Sequence, residues 1–100
     1  MSNKKSHFEL SLPAELDLED VFSYTEEEFG SNQAVKYLLE LEDVFVGLAQ
    51  SPELGRERNE IKEGLRSFPA GSHIVFYRIL SEHIRIVRVM HGSRDLPKHF

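Results

Sequence analysis

From Pro13 to Phe29 the apolar residues Ala14, Leu18, Val21, Phe22 and Phe29 recur at helical spacing, with Thr25 on the same stripe. That period predicts an amphipathic helix. Pro13 suits its first turn, where a backbone N–H would have no partner anyway. Glu15, Asp17, Glu19 and Asp20 fall mainly on other faces, and the early acids suit the helix dipole. Gly30 is a natural stop. A second stripe of Ala34, Leu38, Leu41, Phe45 and Leu48, flanked by Tyr37 and Val44, predicts a second helix. Ser31 or Asn32 is its expected cap, and Ser51-Pro52 its end, because Pro disfavours helical geometry in the residue before it. With a residue or two between them, the helices should form an antiparallel hairpin. Gly47 inside the second helix costs up to about 1 kcal/mol relative to Ala; it marks either fraying or close packing.

The rest of the chain alternates with a period of two or runs apolar. His7-Phe8-Glu9-Leu10-Ser11-Leu12 predicts a short first strand. Glu53 to Glu63 is polar, contains Gly55 and lacks a period, which predicts a surface connection. A meander follows. Leu65 to Phe68 is its first strand, and Pro69-Ala70-Gly71 the turn after it. His73 to Leu80 is the next strand, and His83 to His91 the last, after a turn at Ser81-Glu82. The His73–Leu80 strand is apolar on both faces, so it should be central. The last strand changes phase, from Ile84 and Ile86 to Val87 and Val89, which predicts a bulge or a two-sided position. The order β-α-α-β-β-β predicts a two-layer α+β domain, a helical hairpin packed on one face of a mainly antiparallel sheet. The other sheet face is expected to be uncovered, partly apolar and carrying arginines, and so a candidate binding surface.

One hundred residues fit a single domain, 1–100, with residues 1–6 expected to be flexible. No stretch is apolar and long enough to span a membrane. The basic start has no apolar signal core behind it, so the chain is expected to be unexported and cytoplasmic. Without cysteine, disulfides and thiolate metal sites are excluded. The net charge of −5 conceals an asymmetry. Residues 1–60 hold 5 Lys/Arg against 14 Asp/Glu, and residues 61–100 hold 7 against 3. Two oppositely charged parts suggest separate binding surfaces, or solvated helix faces beside a few sheet arginines.

No glycine-rich phosphate loop or serine nucleophile elbow is present. The histidines lack zinc-site spacing, so neither metal nor cofactor is expected. One constellation remains: Arg66, Arg78, Arg85, Arg88, His91, Arg94, Lys98 and His99, all on the meander and tail. Arginine grips phosphate, and histidine moves protons near neutral pH. Such a set could cleave RNA by general acid–base chemistry, or bind a protein. The plainer alternative is charge on a sheet surface lying over apolar neighbours.

Several segments, in order, resemble the ParE branch of the RelE/ParE toxins. Ala14 to Tyr24 looks like the family's first helix. Leu48-Ala49-Gln50-Ser51-Pro52-Glu53-Leu54-Gly55-Arg56 looks like its "LA-x-x-P-x-L-G-R" segment, and Gly64 to Arg78 is similar to its "GSH…FYR" sheet segment. Ile84 to His91 and Asp95-Leu96-Pro97 complete the likeness, which runs from about residue 8 to the end. The resemblance implies a toxin of a type II toxin–antitoxin pair that inhibits DNA gyrase. It implies a cognate antitoxin whose C-terminal segment lies across the toxin, and indirect operator DNA contact through that antitoxin. Arg78, Arg88, His91 and Arg94 are then the candidate target contacts, the Ala34/Leu38/Leu41 stripe is mostly core, and exposed apolar residues of the last two strands are covered by antitoxin. RelE-type relatives instead cut mRNA on the ribosome, and Arg66, Arg78 and His91 would be the catalytic set of that alternative. The tail after His91 has no tyrosine, unlike many such nucleases. A third alternative is an inactive relative kept for antitoxin binding.

Overall fold

A computed structural model describes residues 7–92. The expected flexible start, Arg94, Lys98, His99 and the Asp95-Leu96-Pro97 ending lie outside the described residues. The elements run β1 (Phe8–Leu10), α1 (Leu12–Phe29), α2 (Ser31–Gln50), a 3-10 turn (Pro52–Leu54), β2 (Arg56–Glu57), β3 (Leu65–Ala70), β4 (His73–Ile79) and β5 (Ile84–His91). The strands form one sheet in the order β1-β5-β4-β3-β2. β1 runs parallel to β5 and every other pair is antiparallel. The α+β hairpin-on-sheet architecture is as the patterning predicts, with β4 central.

Local chemistry sets the helix limits. Ser11 caps α1 by accepting from the Ala14 N–H at 3.1 Å. Gly30, at φ 93, ends α1 by donating to the Glu26 carbonyl and also begins α2. The expected cap on α2, Ser31 or Asn32, is not used. Ser31 is already helical, and its hydroxyl donates to Glu26 Oε2 at 2.8 Å. At Gly47 an added Cβ would meet nothing within 4 Å and α2 continues through it, so neither fraying nor close packing accounts for this glycine.

The core lies between hairpin and sheet. Ala14, Val21, Leu41, Phe45 and Leu48 pack on Val75, Tyr77, Ile84, Ile86 and Val89. The phase change in β5 is a bulge. Phe76 faces Arg88 while Tyr77 faces Ile86, which leaves Val87 without an opposite residue. β1 accompanies β5 only as far as Ile86. Beyond that point α1 takes over the open edge. Ser11 Oγ donates to the Val87 carbonyl at 2.8 Å, and Asp17 Oδ2 accepts from the Val89 N–H at 2.9 Å.

Two expectations are corrected. The segment Glu53–Glu63 is more than a surface connection: it carries most of the 3-10 turn and β2, which pairs Arg56 with Ser67 and Glu57 with Arg66. Pro69 and Ala70 belong to β3, so the turn is only Gly71-Ser72, with Gly71 at φ 59. Pro69 is tolerated there because β2 no longer runs alongside, and its missing N–H breaks no ladder on that edge.

The far sheet face is also not left bare. Leu65 and Phe76 are fully buried on it, and Ser67 nearly so. The chain after β2 closes over them. Arg58 donates from its backbone to the Leu65 carbonyl at 2.8 Å and from its guanidinium to Ser67 Oγ at 3.1 Å. The same guanidinium stands 6.0 Å from the centre of the Phe76 ring. The apolar residues of β4 and β5 therefore offer little free surface, with Ile79 the large one exposed.

Candidate functional site

Two tyrosines explain why the "LA-x-x-P-x-L-G-R" and "GSH…FYR" segments have the residues they do. Tyr77, fully buried, donates its hydroxyl to the Pro52 carbonyl at 2.5 Å and accepts from the Gly55 N–H at 2.8 Å. A Cβ on Gly55 would collide with that phenol. Tyr37 does the same for the β3–β4 turn. It accepts from the Ser72 N–H at 3.0 Å and lies 2.7 Å from His73 Nδ1, and a Cβ on Gly71 would stand 2.7 Å from its oxygen. Burial pushes both phenols above the usual tyrosine range, so they remain protonated at neutral pH. Tyr77 thus locks the sheet to the turn that follows α2, and Tyr37 locks the β3–β4 turn to the first half of α2.

The basic residues expected at a site are mostly tied into the scaffold. Arg66 donates to the Gly55 carbonyl at 2.7 Å and pairs with Glu57 at 3.2 Å. Arg78 donates to the Glu63 carbonyl at 3.0 Å. Arg85 and His83 both bind Glu9 across the β1–β5 pair, and the Arg85 bond, then that of His83, holds the Glu9 carboxyl below its usual range. Arg88 forms a bidentate pair with Asp17, at 2.7 and 2.9 Å, which raises the guanidinium's already high pKa. The rings of His91 and His73 meet edge to face at 5.3 Å.

Arg66, Arg78 and His91 are not brought together. His91 faces His73 at one end of β4, whereas Arg78 lies five positions along that strand, about 17 Å away at strand spacing. Arg66 and Arg78 face Tyr77 and Leu65, neighbouring positions on opposite faces of the sheet. Arg88 and His91, in contrast, line one cleft of about 570 Å³ with Asp17, Asp20, Tyr24 and His73. Among the described residues no group of three or more His, Asp or Glu is placed to hold a metal ion, and no helix is long and apolar enough to cross a membrane.

A second opening, lined almost wholly by apolar side chains, lies on the helix side at the β1 edge, where sequence patterning did not place it. It is a groove of about 370 Å³. β1 contributes Phe8 and Leu10, and α1 contributes Leu18 and Phe22. α2 adds Val35, Leu38, Leu39, Glu42 and Phe45. Phe8 packs edge to face on Phe45 at 5.4 Å, forming the floor. Val35 and Leu39 remain 49% and 57% exposed, so the groove is open to solvent rather than a sealed cavity. Leu38, expected as core, is one of its walls. The signal was present as the doublet Leu38-Leu39, which widens the apolar stripe beyond what one buried face needs.

Comparison with known proteins agrees with this architecture and with the motifs. Residues 8–96 match the family model described as the ParE toxin of a type II toxin–antitoxin system, parDE. A toxin ParE1 of Caulobacter vibrioides is 35% identical over 92 residues, covering 92% of this chain and 95% of that one. A toxin ParE1 of Mycobacterium tuberculosis is 38% identical over 95 residues, covering 94% and 97%. In fold, the chain is similar to a chain from the chromosomal ParDE TA system of P. aeruginosa, with a TM-score of 0.75, 18% identity, and 89% and 98% of the two chains covered. The chain belongs to the ParE toxin family of type II toxin–antitoxin systems.

Proposed function

We propose that this toxin inhibits DNA gyrase in the cytoplasm and so blocks replication, and that a cognate antitoxin neutralises it. The observation that carries the reading is the open groove on a chain of this family: a trough lined by Phe8, Leu10, Leu18, Phe22, Val35 and Leu39 fits a segment of another polypeptide that buries its own apolar side chains. The antitoxin's C-terminal segment is the proposed occupant, with operator DNA contacted only through the antitoxin. Gyrase is proposed to meet the cleft that holds Arg88 and His91, with Arg78 and Arg94 as further contacts.

Purified chain should inhibit gyrase supercoiling and cause cleaved DNA to accumulate, and growth should arrest when the chain is expressed alone. Cleavage of ribosome-bound message with gyrase untouched would replace this reading with the ribonuclease alternative. The separation of Arg66 and Arg78 from His91 speaks against that outcome. Harmless expression with neither effect would favour an inactive relative.

A further inference from the structure

We infer that the groove is built for a cationic amphipathic segment, apolar along its centre and carrying lysine or arginine on its flanks. This rests on the groove being the antitoxin's seat and adds the chemistry of what sits there.

Acids border the trough on both walls. On α1, Glu15 stands three residues before Leu18, Glu19 three before Phe22, and Glu26 four after Phe22. Residues at these intervals are neighbours on a helix surface, so the carboxylates run beside the apolar wall. On α2, Glu42 lines the groove itself and Asp43 follows Leu39 at the same four-residue interval, while Lys36, three residues before Leu39, is the one cation on this wall. All five acids are exposed. α1 has seven acidic residues and no basic one, and α2 has three acidic residues and Lys36, so the helical layer carries a net charge of −9.

That charge selects the occupant. A concave, low-dielectric surface rimmed mainly by one sign of charge, here five acids against one lysine, concentrates the opposite sign. A purely apolar segment would strip water from these carboxylates without giving them partners. An acidic segment would be repelled. A second copy of this chain presenting the same face would set these rim carboxylates against their own kind, which disfavours a homodimer there. Lysine or arginine beside the apolar anchors satisfies both demands, and long basic side chains also cover apolar surface with their stems.

The test uses the full chain and the whole polypeptide of its cognate antitoxin, titrated at about 50 and about 500 mM salt, a range over which exposed charges lose most of their reach. Affinity should fall about tenfold or more as salt rises. The variant Glu15→Lys/Glu19→Lys/Glu42→Lys should bind about tenfold more weakly at low salt, as three rim pairs of ordinary strength imply, and should lose most of the salt dependence. Glu27→Lys/Glu40→Lys, equal in kind but away from the trough, should change affinity by no more than about twofold. Leu39→Asp should abolish binding at either salt concentration. If the antitoxin binds but the groove variant binds as well as wild type, the inference is overturned while the antitoxin reading stands. If the antitoxin does not bind at all, the functional reading itself fails. A dimer of the chain alone that is lost in Leu39→Asp would instead assign the groove to a second copy and overturn the inference.

Discussion

Tyr77→Phe removes a single oxygen and should cost far more stability than its size suggests. The ring is fully buried, and phenylalanine fills the same volume apart from the hydroxyl. What changes is the fate of two backbone groups. The Gly55 N–H, in a buried residue, loses an acceptor at 2.8 Å, and the Pro52 carbonyl loses a donor at 2.5 Å. An unsatisfied buried polar group costs about 1–3 kcal/mol, and a bond whose partner can turn to water about 0.5–1.5 kcal/mol. Gly55 belongs to the first class. Pro52, only partly buried, belongs to the second. Together they come to about 2–3 kcal/mol, a large share of the roughly 5–15 kcal/mol that holds an ordinary domain folded. For a chain of this size that is a fall in Tm of about 10–20 °C. The assay is urea unfolding followed by far-UV circular dichroism, with the m-value unchanged. Tyr24→Phe, at a residue 60% exposed, is the control and should stay within about 0.5 kcal/mol of wild type. Gly55→Ala should be destabilising in either background, because the ring carbons, and not only the oxygen, crowd the added methyl. A loss below about 0.5 kcal/mol for Tyr77→Phe would refute the claim that this hydroxyl fastens the 3-10 turn to the sheet.

Asp17→Ala should cost about 2–3 kcal/mol, since it removes the acceptor for Arg88 and for the Val89 N–H at once; urea unfolding checks it, and a neutral result would mean that α1 does not seal the β5 edge. Gly71→Ala should destabilise by at least about 1 kcal/mol, because the position has φ 59 and the new methyl meets the Tyr37 phenol, read as a lower urea midpoint. Glu9 has its folded pKa held below 4.5 by Arg85 and then His83, so its contribution is present above the unfolded value and lost as pH falls through the lower folded one. The stability gap between wild type and Glu9→Gln should therefore narrow as pH drops from about 5 to about 3, and a gap that widens would reverse the assignment.

The parts of the fold legible in the sequence are those whose cause is local. The two helices show because Ala14, Val21 and Thr25, and Ala34, Leu41 and Leu48, return to one side every turn. The central place of β4 shows in its unbroken run Ile74-Val75-Phe76-Tyr77, and the β5 bulge in the apolar phase slip at Ile86-Val87. What stayed hidden depends on residues far apart in the chain. β2 is two exposed charged residues, with no period to betray it, and exists because Ser67 and Arg66 lie beside it. Arg88 reads as a free sheet cation until α1 brings Asp17, 71 positions earlier in the chain, into contact with it. The groove was hidden for the same reason. Phe8 becomes its floor only because β1 pairs in parallel with Ile84 to Ile86, and no alternation within residues 7–12 specifies that partner. This difference in cause also separates the two surfaces functionally. The sheet arginines that looked free are consumed by structural bonds, whereas the apolar and acidic helix faces, read as core and solvated charge, meet at the β1 edge with Leu39 and Glu42 unburied. The exposed rim of that trough, Val35 and Leu39, adds little to holding the fold together, since the core beneath it is already closed by Leu41, Phe45 and Leu48. The exposed rim of the trough is therefore the surface on which to expect the antitoxin segment.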